Sequence, residues 1–338
     1  MNILVTGGAG YVGSVTIPEL VNSGHNVKCL DRFFFGIDYL SQKQFENKVE
    51  LIKDDIRWFD PKILDEVDVV IDLAALSNDP VGDLDPAKTY EINHLGRARV
   101  SKLSKERGVS RYILASSASI YGQQEEVVDE NAAIKPLTAY SKANRKAEES
   151  ALPLNDDSFT VTALRFSSVY GISPRMRFDT AVNVMVLDLF NKGKITVRGQ
   201  GNKRPFVHIL DVARAYEVVI NASKEKIGGQ IFNVGSDEQN YEMGQLAKEI
   251  TDGVGEECQL ELEDSPDHRS YTASFSKIRE TLNFVPNYTV KQGAKEIYEA
   301  LKSGALKETK KTKTVEWYKT LLSDKSLAQD IILNEIII

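Results

Sequence analysis

Three glycines near the start of the chain have the spacing of a turn that binds phosphate groups. Gly7, Gly10 and Gly13 lie in the segment TGGAGYVG, directly after a short apolar run and at the start of an amphipathic stretch. Glycines at this spacing allow a tight turn, close approach of the main chain to a pyrophosphate, and an exposed helix N-terminus whose N–H groups favour anions. The segment therefore predicts a dinucleotide-binding turn between a strand and a helix.

Asp31 indicates which dinucleotide this turn binds. It ends the second predicted strand, where a carboxylate accepts hydrogen bonds from ribose hydroxyls. Because that carboxylate would repel the additional phosphate of NADP, NAD is the favoured cofactor. The neighbouring Arg32 leaves NADP open, since an arginine beside this site can bind the phosphate. Asp55 and Ile56, after the third predicted strand, would lie over the adenine.

The elements that must position these residues alternate regularly over roughly the first 170 residues. Short β-branched segments at 3–6, 27–30, 49–52, 67–73, 111–116 and 159–165 are separated by longer amphipathic stretches. This alternation is typical of βαβ units and predicts an α/β fold, a Rossmann-type doubly wound parallel sheet with helices on both faces. We predict a NAD-binding domain over 1–172, to which 204–234 returns. A smaller, interleaved C-terminal substrate-binding lobe is predicted at 173–203 and 235–310, and a helical tail at 311–338.

Composition argues against several classes of function. The chain of 338 residues carries 42 Lys+Arg against 49 Asp+Glu, a net charge of −7, so no basic field favours a nucleic acid partner. No apolar run reaches the roughly 18 residues of a membrane span, so no membrane partner is expected. Cys29 and Cys258 lack the neighbours of a zinc site, and we expect no metal. The first residues lack the regions of a secretory signal, which predicts a cytoplasmic protein.

Further motifs carry a resemblance to a known family. They are SSASIYG at 116–122, YSKAN at 140–144, RPFVHILDVA at 204–213 and FNVG at 232–235. With the glycine turn, they make the sequence resemble the extended short-chain dehydrogenases/reductases, and within these the NAD-dependent nucleotide-sugar epimerases and dehydratases. The resemblance extends from residue 2 to about residue 290. The chain looks like the UDP-glucose 4-epimerases, and also like a subgroup that includes GDP-heptose 4-dehydrogenases.

The resemblance implies catalytic roles for two residues. In this family a hydride passes between a sugar carbon and the nicotinamide while a tyrosinate takes the hydroxyl proton. Tyr140 matches that base, and Ser117 matches the hydroxyl residue that hydrogen-bonds the reacting oxygen. A tyrosine with an ordinary pKa near 10 is a poor base at neutral pH, so a positive charge must stabilise its anion.

The chain departs from the family at the residue that supplies this charge. Where relatives carry a lysine four residues after the tyrosine, this chain has Asn144, an amide that can hydrogen-bond a ribose but has no charge. Lys142 and Lys146 are predicted to lie on other faces of the helix. We therefore expect weakened activity. We also expect that a lysine at position 144 would raise the rate at pH 7.

The resemblance also assigns the binding residues. Arg204 and Arg269 match positions at which relatives bind the pyrophosphate of a nucleotide-sugar, the predicted substrate partner. The predicted cofactor-binding residues are Gly7, Gly10, Tyr11, Val12, Gly13, Asp31, Arg32, Asp55, Ile56, Leu73, Ala74, Ala75, Asn93, Tyr140 and Asn144. The predicted substrate-binding residues are Ser77, Ser117, Ser168, Arg175, Arg177, Asn183, Arg204 and Arg269.

The residues after Ser117 favour one reaction among those of the family. Sugar 4,6-dehydratases place an Asp-Glu pair there, whereas this chain has Ala118 and Ser119. The prediction is a 4-epimerase that acts by transient C4 oxidation. A 4-dehydrogenase or a dehydratase of the same family remains open, as does an NAD-binding regulator that lost turnover at Asn144. The helical stretches 86–107 and 137–151 resemble those through which relatives form a homodimer as a four-helix bundle.

Overall fold

A seven-stranded parallel sheet forms the centre of the molecule. The structure is a computed structural model and describes residues 1–265, 267, 269–329 and 331–338. Its strands are β1 (Asn2–Thr6), β2 (Asn26–Asp31), β3 (Val49–Lys53), β4 (Val69–Asp72), β5 (Arg111–Ser117), β6 (Gln123–Val128), β7 (Thr160–Phe166), β8 (Ser168–Tyr170), β9 (Lys194–Arg198), β10 (Lys203–His208), β11 (Gln230–Val234), β12 (Asn240–Glu242), β13 (Gln259–Glu263) and β14 (Ser270–Ala273). The central sheet has the order β11-β7-β5-β4-β1-β2-β3, with every neighbouring pair parallel. The predicted α/β fold class is confirmed.

Helices cover both faces of this sheet. They are α1 (Gly13–Asn22), α2 (Asp79–Gly82), α3 (Pro86–Tyr90), α4 (Arg97–Glu106), α5 (Ala139–Ala151), α6 (Ala181–Lys192), α7 (Ile209–Asn221), α8 (Lys224–Ile227), α9 (Met243–Val254), α10 (Ser276–Leu282), α11 (Val290–Lys302), α12 (Thr314–Ser323) and α13 (Lys325–Ala328). Helices α1 and α7 pack against each other over one face, and α4 and α5 pack over the other. All seven residues of β7 are buried, as in a strand covered on both sides.

The order of the strands determines which loops lie beside the glycine turn. Strand β1 pairs with β2 on one side and with β4 on the other. The turn after β1 therefore lies between the loops that follow β2 and β4, at the carboxyl edge of the sheet. Ligands of doubly wound sheets bind at this edge.

A second lobe faces the same edge. It contains the three-stranded sheet β12-β10-β8, the strand pair β13-β9, and helices α6, α9 and α11, which share one apolar core. Helix α6 and strand β9 both lie within residues 173–203. The lobe and the central sheet enclose a cleft.

The C-terminal tail packs on the body of the protein. After a short 3₁₀ turn at Lys310–Thr312, helix α12 buries Tyr318 and Leu321. These two side chains belong to an apolar cluster with Leu76 and Val81, which lie in the loop after β4 and in α2. The sequence predicts a returning helix here, and the structure shows the surface against which it packs.

Candidate active site

A pocket of about 670 Å³ lies between the carboxyl edge of the sheet and the second lobe. Side chains from both lobes line it, so it can hold a dinucleotide and a second ligand at once. It brings together most of the predicted site residues: Gly7, Gly10, Tyr11, Val12, Gly13, Asp31, Arg32, Asp55, Ile56, Leu73, Ala74, Ala75, Ser77, Ser117, Tyr140, Asn144, Ser168, Arg175, Arg177, Arg204 and Arg269.

The glycine turn has the geometry of a phosphate cradle. Gly7 has a φ of +66°, and a Cβ atom there would lie 2.7 Å from the main-chain nitrogen of Ala74. A Cβ on Gly13, the first residue of α1, would lie 2.5 Å from main-chain atoms of Gly8. Any side chain at these positions would therefore push the turn out of place. The turn presents main-chain N–H groups and the N-terminus of α1 to the pocket, which suits a pyrophosphate.

Asp31 lies at the end of β2, beside this turn. Its carboxylate accepts hydrogen bonds from the main-chain N–H groups of Ala9, at 2.9 Å, and Phe33, at 2.7 Å. Burial raises the pKa of this carboxyl group, and those N–H groups oppose the shift. A ribose hydroxyl donating to the same carboxylate would stabilise the charged form further.

Arg32 has partners that the sequence analysis did not foresee. Its Nη1 donates to Asp55 at 2.8 Å, and its Nη2 donates to the carbonyl oxygens of Ile331, Ile336 and Ile337 at 2.8 to 3.0 Å. The guanidinium is 6% exposed. Both NH₂ groups of Arg32 are engaged in this way, and its buried Nε has no acceptor among the described residues. To bind the additional phosphate of NADP with its NH₂ groups, Arg32 would have to give up these hydrogen bonds.

The tail covers this end of the pocket. Trp317 donates its indole N–H to the carbonyl oxygen of Phe34 at 2.7 Å, and the ring of Tyr318 meets the rings of Phe34 and Phe35 edge-on at 5.5 and 5.7 Å. Thr314 and Tyr318 themselves line the pocket. The tail therefore contacts the loops after both β2 and β4, the two strands that flank β1.

Tyr140, Ser117 and Asn144 line the same pocket. Ser117 is the last residue of β5, and Tyr140 lies in the first turn of α5, which Thr138 caps by accepting from the N–H of Ser141 at 3.1 Å. One helical turn later, Asn144 lies on the same face, 1% exposed. Ser117 and Asn144 both lie near enough to the Tyr140 hydroxyl to lower its pKa.

The surroundings of Tyr140 oppose its ionisation. Burial raises the pKa of its hydroxyl, and the nearby Asp79 carboxylate raises it further. The guanidinium of Arg97 and the hydrogen bonds from Ser117 and Asn144 act in the opposite direction. On balance the pKa lies above its ordinary value near 10. The fraction of Tyr140 that is ionised, and can accept a proton, therefore increases as the pH rises.

Arg204 and Arg269 converge at the mouth of the pocket in the second lobe. Both are paired with Asp267, at 3.1 Å for Arg204 and 2.6 Å for Arg269. Arg269 also donates to Asp79, which itself accepts from Thr138 at the start of α5. The two guanidinium groups thus form one cluster with the carboxylates of Asp267 and Asp79, and Asp79 links this cluster to the helix that carries Tyr140.

Arg175 and Arg177 lie close to the glycine turn. The main-chain N–H of Arg175 points to the hydroxyl of Ser14 in α1 at 3.4 Å, and its side chain stacks on Phe35 with the guanidinium carbon 3.6 Å from the ring centre. Its Nε and Nη1 atoms are buried and have no acceptor among the described residues. Buried donors without an acceptor suit an anionic ligand, and together with the glycine cradle and Asp31 they fit a dinucleotide.

Two predicted residues lie behind the pocket wall and do not line it. Asn93 is fully buried and exchanges two hydrogen bonds with the main chain of Leu76, at 2.8 and 3.0 Å. Asn183 is also fully buried and bonds to Gly171, Tyr11 and the carbonyl oxygen of Arg177. Both amides have partners within the protein, so they support the wall and do not reach a ligand.

The structure also adds residues that sequence reasoning missed, chiefly Arg97, Asp79 and Tyr318. Arg97 carried a readable signal. It shares the buried face of α4 with Val100, Ser101 and Ser104, at spacings of three, four and seven residues. A charged residue on the buried face of a helix requires a partner.

Neither a metal centre nor a membrane span occurs in the described part of the chain. Across 1–265, 267, 269–329 and 331–338, no cluster of three or more His, Cys, Asp or Glu side chains is arranged to hold a metal ion. Within the same residues, every helix is too short or too polar to cross a bilayer.

Comparison with known proteins shows the relatives of this chain. Residues 3–235 match the model of the NAD dependent epimerase/dehydratase family. An uncharacterised UDP-glucose epimerase, YtcB, of Bacillus subtilis (strain 168) is 28% identical over 309 residues, which cover 87% of this chain and 95% of that protein. UDP-glucuronic acid decarboxylase 1 of Arabidopsis thaliana is 29% identical over 310 residues, or 87% of this chain and 68% of that protein.

Solved structures have the same architecture. MoeE5 in complex with UDP-glucuronic acid and NAD superposes with a TM-score of 0.80 at 25% identity, over 90% of this chain and all of that one. A UDP-glucuronic acid 4-epimerase of Bacillus cereus, at 24% identity, has a TM-score of 0.80 over 90% of this chain and 99% of its own, and supports the fold alone.

Proposed function

Because the chain belongs to the NAD-dependent epimerase/dehydratase family, we propose that it is an NAD-dependent nucleotide-sugar 4-epimerase. The observation that carries this proposal is that Tyr140 and Ser117 share a pocket with the glycine turn and Asp31. NAD bound along the turn supplies the acceptor for a hydride from C4. Tyr140 takes the proton of the 4-hydroxyl group and later returns it, while Ser117 donates a hydrogen bond to the same oxygen.

The carboxylates near Tyr140 support epimerisation over loss of water. Elimination requires an acid and a base beside C5 and C6, and Ala118 and Ser119 occupy the positions where dehydratases carry them. Asp79 is held by Arg269, and Asp179 is paired with Arg177 at 2.7 Å. Burial raises the pKa of Asp179, but the Arg177 guanidinium lowers it by more, so this carboxyl group is a poor proton donor.

The mouth of the pocket suits the diphosphate of a nucleotide-sugar. Arg204 and Arg269 offer planar guanidinium groups, and incoming phosphate oxygens would compete with Asp267 for them. Relatives named for UDP-glucose and UDP-glucuronic acid make UDP-sugars the first substrates to test.

Product analysis tests the proposed reaction. The purified protein is incubated with UDP-glucose, UDP-glucuronic acid and UDP-N-acetylglucosamine in separate reactions, and the products are identified by NMR. We expect the 4-epimer of one of them to form without net production of NADH. Accumulation of NADH would indicate a dehydrogenase, whereas release of carbon dioxide or water would indicate a decarboxylase or a dehydratase.

The C-terminal tail supports an enzyme that keeps its cofactor. An epimerase must return the hydride that it has removed, so NADH must not leave between the two transfers. Tyr318 and Trp317 pack on the loop at Phe34 and Phe35, and Arg32 binds three carbonyl groups of the last residues. With the tail in this position, release of the cofactor requires these contacts to break.

Tyr318→Ser should therefore speed the release of NADH. The ring is 5% exposed, and burying a side chain of this kind contributes roughly 1.5–3 kcal/mol, so we expect release to become at least about tenfold faster. The measurement is stopped-flow fluorescence of NADH displaced by excess NAD. Leu322→Ser is the matched control and should leave the rate unchanged, because Leu322 lies on the same helix and is 53% exposed. Equal rates in both variants would contradict a retaining role for the tail.

We further propose a homodimer formed through the helices of the 86–107 and 137–151 stretches. Leu95 lies between α3 and α4 and is 59% exposed, and Leu137, just before α5, is 45% exposed. Leu95→Glu should yield a monomer at micromolar concentration in sedimentation equilibrium. Leu262→Glu, at an equally exposed leucine of β13, should remain dimeric. A wild-type monomer at that concentration would refute the proposal.

A further inference from the structure

Arg97 is a buried arginine on the floor of the active site. It is the first residue of α4, follows a π-helical segment at Glu91–Gly96, and is 2% exposed while lining the pocket. Interruptions of this kind in an α-helix often occur at functional sites, where they change the direction in which the following side chains point. A guanidinium buried to this extent must be held by acceptors.

The acceptors of Arg97 come from three elements of the fold. Its Nη2 donates to the carbonyl oxygens of Asp72, at 3.1 Å, and Ala115, and its Nη1 donates to Oδ1 of Asn144 at 2.9 Å. Its Nε lies 3.6 Å from the carboxylate of Asp72. The guanidinium is thus fixed between the ends of β4 and β5 and the active-site face of α5.

Asp72 is itself held firmly. Thr6 donates its hydroxyl to Oδ1 of Asp72 at 2.5 Å, and the hydroxyl of Tyr112 donates to Oδ2. The carboxylate therefore lies on the sheet side of Arg97, and the Nη1 end of the guanidinium is directed away from it, toward α5.

This contact decides the orientation of the Asn144 amide. A guanidinium has donors only, so the oxygen of the amide must face Arg97 and its nitrogen must face the other way. Consistently, Nδ2 of Asn144 donates to the carbonyl oxygen of Tyr140 at 3.0 Å, and Asn144 lowers the pKa of the Tyr140 hydroxyl. A reversed amide would present its oxygen to Tyr140, and a second acceptor cannot stabilise a tyrosinate.

We propose that Arg97 is a positioning residue for the Tyr140 base, which it serves by orienting the Asn144 amide and by supplying the fixed positive charge on that side of the active site. The inference rests on the proposed function, because it gives Tyr140 the role of the base. It also explains how a chain without a lysine at position 144 can retain a cation near that tyrosine.

Other charged groups also face Tyr140. Asp79 of α2 raises its pKa, and Arg269 is paired with that carboxylate. Arg177, which follows β8, is close enough to Tyr140 that the phenol contributes to the raised pKa of the Arg177 guanidinium. The phenol of Tyr216 faces Tyr140 from α7. Arg97 and Arg177 are thus two cations that favour the tyrosinate, because a Coulomb interaction acts on both partners. Of the two, Arg97 is the one that also binds the Asn144 amide.

Titration of Tyr140 tests the inference without relying on a substrate. The ¹³Cζ resonance of Tyr140 in the NAD-bound protein, assigned by its absence in Tyr140→Phe, is followed as the pH rises. In Arg97→Met the midpoint, or the onset if the midpoint lies beyond the stable range, should move up by about one pH unit. Arg97→Lys keeps a charge and has only donors, so its titration should stay near that of the wild type although its stability falls. Arg99→Met, which alters a guanidinium on the same helix that contacts Phe59, should titrate as the wild type.

Two further measurements keep the outcome clear. If Arg97→Met does not fold because Asp72 loses its cation, Asp72→Asn/Arg97→Met removes both charges, and a smaller shift in the same upward direction is expected, because the anion is lost together with the cation. An unchanged titration in whichever of these variants folds overturns the inference. Conversion of UDP-glucose is measured in parallel. A shifted titration in a protein that does not convert any tested UDP-sugar supports the role of Arg97 and contradicts the proposed reaction.

Discussion

Replacing Tyr140 with phenylalanine is expected to lower turnover of the nucleotide-sugar by roughly 10²–10⁴-fold, the usual contribution of a positioned general base. Only the hydroxyl is removed, and the ring remains to line the pocket. The amount of NAD that copurifies with the protein should therefore stay unchanged. The measurement is the initial rate of product formation with the best substrate of the panel, together with the NAD content of the denatured protein.

Tyr121→Phe is the matched control for this change. Its hydroxyl donates to Asn233 at 2.8 Å and accepts from the buried guanidinium of Arg165 at 2.9 Å, and its ring lies in the buried core outside the pocket. Loss of these two hydrogen bonds should cost roughly 2–4 kcal/mol of stability without a comparable loss of turnover. Equal losses of turnover in the two variants would mean that a hydroxyl other than that of Tyr140 takes the proton.

The wild-type rate should also depend on pH in a defined direction. Burial and Asp79 raise the pKa of Tyr140, so at neutral pH only a small fraction of it is ionised. Because the base is the ionised form, the rate should rise close to tenfold per pH unit below that pKa. A rate that is flat from about pH 6 to pH 9 would contradict Tyr140 as the base.

Residues that depend on local spacing could be predicted from the sequence. The glycine turn and Asp31 lie within about 25 residues of one another and belong to consecutive elements of one βαβ unit. Tyr140 and Asn144 share a helical face because they are four residues apart, as the structure confirms. Their positions follow from the rules of a single strand or helix, so no long-range contact had to be known.

Contacts between distant segments could not be predicted in this way. The sequence makes Arg32 a candidate for the additional phosphate of NADP, but its acceptors are Asp55 and three carbonyl oxygens some 300 residues further along the chain. Asp72 and Arg97 are separated by 25 residues and meet only because β4 ends beside the start of α4. A single sequence shows the charge of each of these residues but not which groups surround it.

The same limitation reverses the expectation for Asn144→Lys. The sequence predicts that a lysine at this position would raise the rate at pH 7, but the structure places Arg97 Nη1 2.9 Å from Asn144 Oδ1, at a position that is 1% exposed. Two cations about 4 Å apart repel each other by about 4 kcal/mol at an effective dielectric constant near 20. Asp72 is the one carboxylate that contacts Arg97 among the described residues, and its single negative charge balances only one of the two cations. The repulsion between them is therefore not offset.

We therefore expect Asn144→Lys to lower the free energy of unfolding by several kcal/mol and to reduce the rate at pH 7. Adding Arg97→Met should reverse both effects, because one cation then remains beside Tyr140 and Asp72. The apparent pKa in the pH–rate profile of the double variant should be equal to or lower than that of the wild type, because the new ammonium group is directly next to the base. Thermal unfolding and pH–rate profiles of the two single variants and the double variant form a double-mutant cycle for this pair. Additive effects in that cycle would show that positions 97 and 144 do not interact, and the charge that serves Tyr140 would then have to come from a different residue.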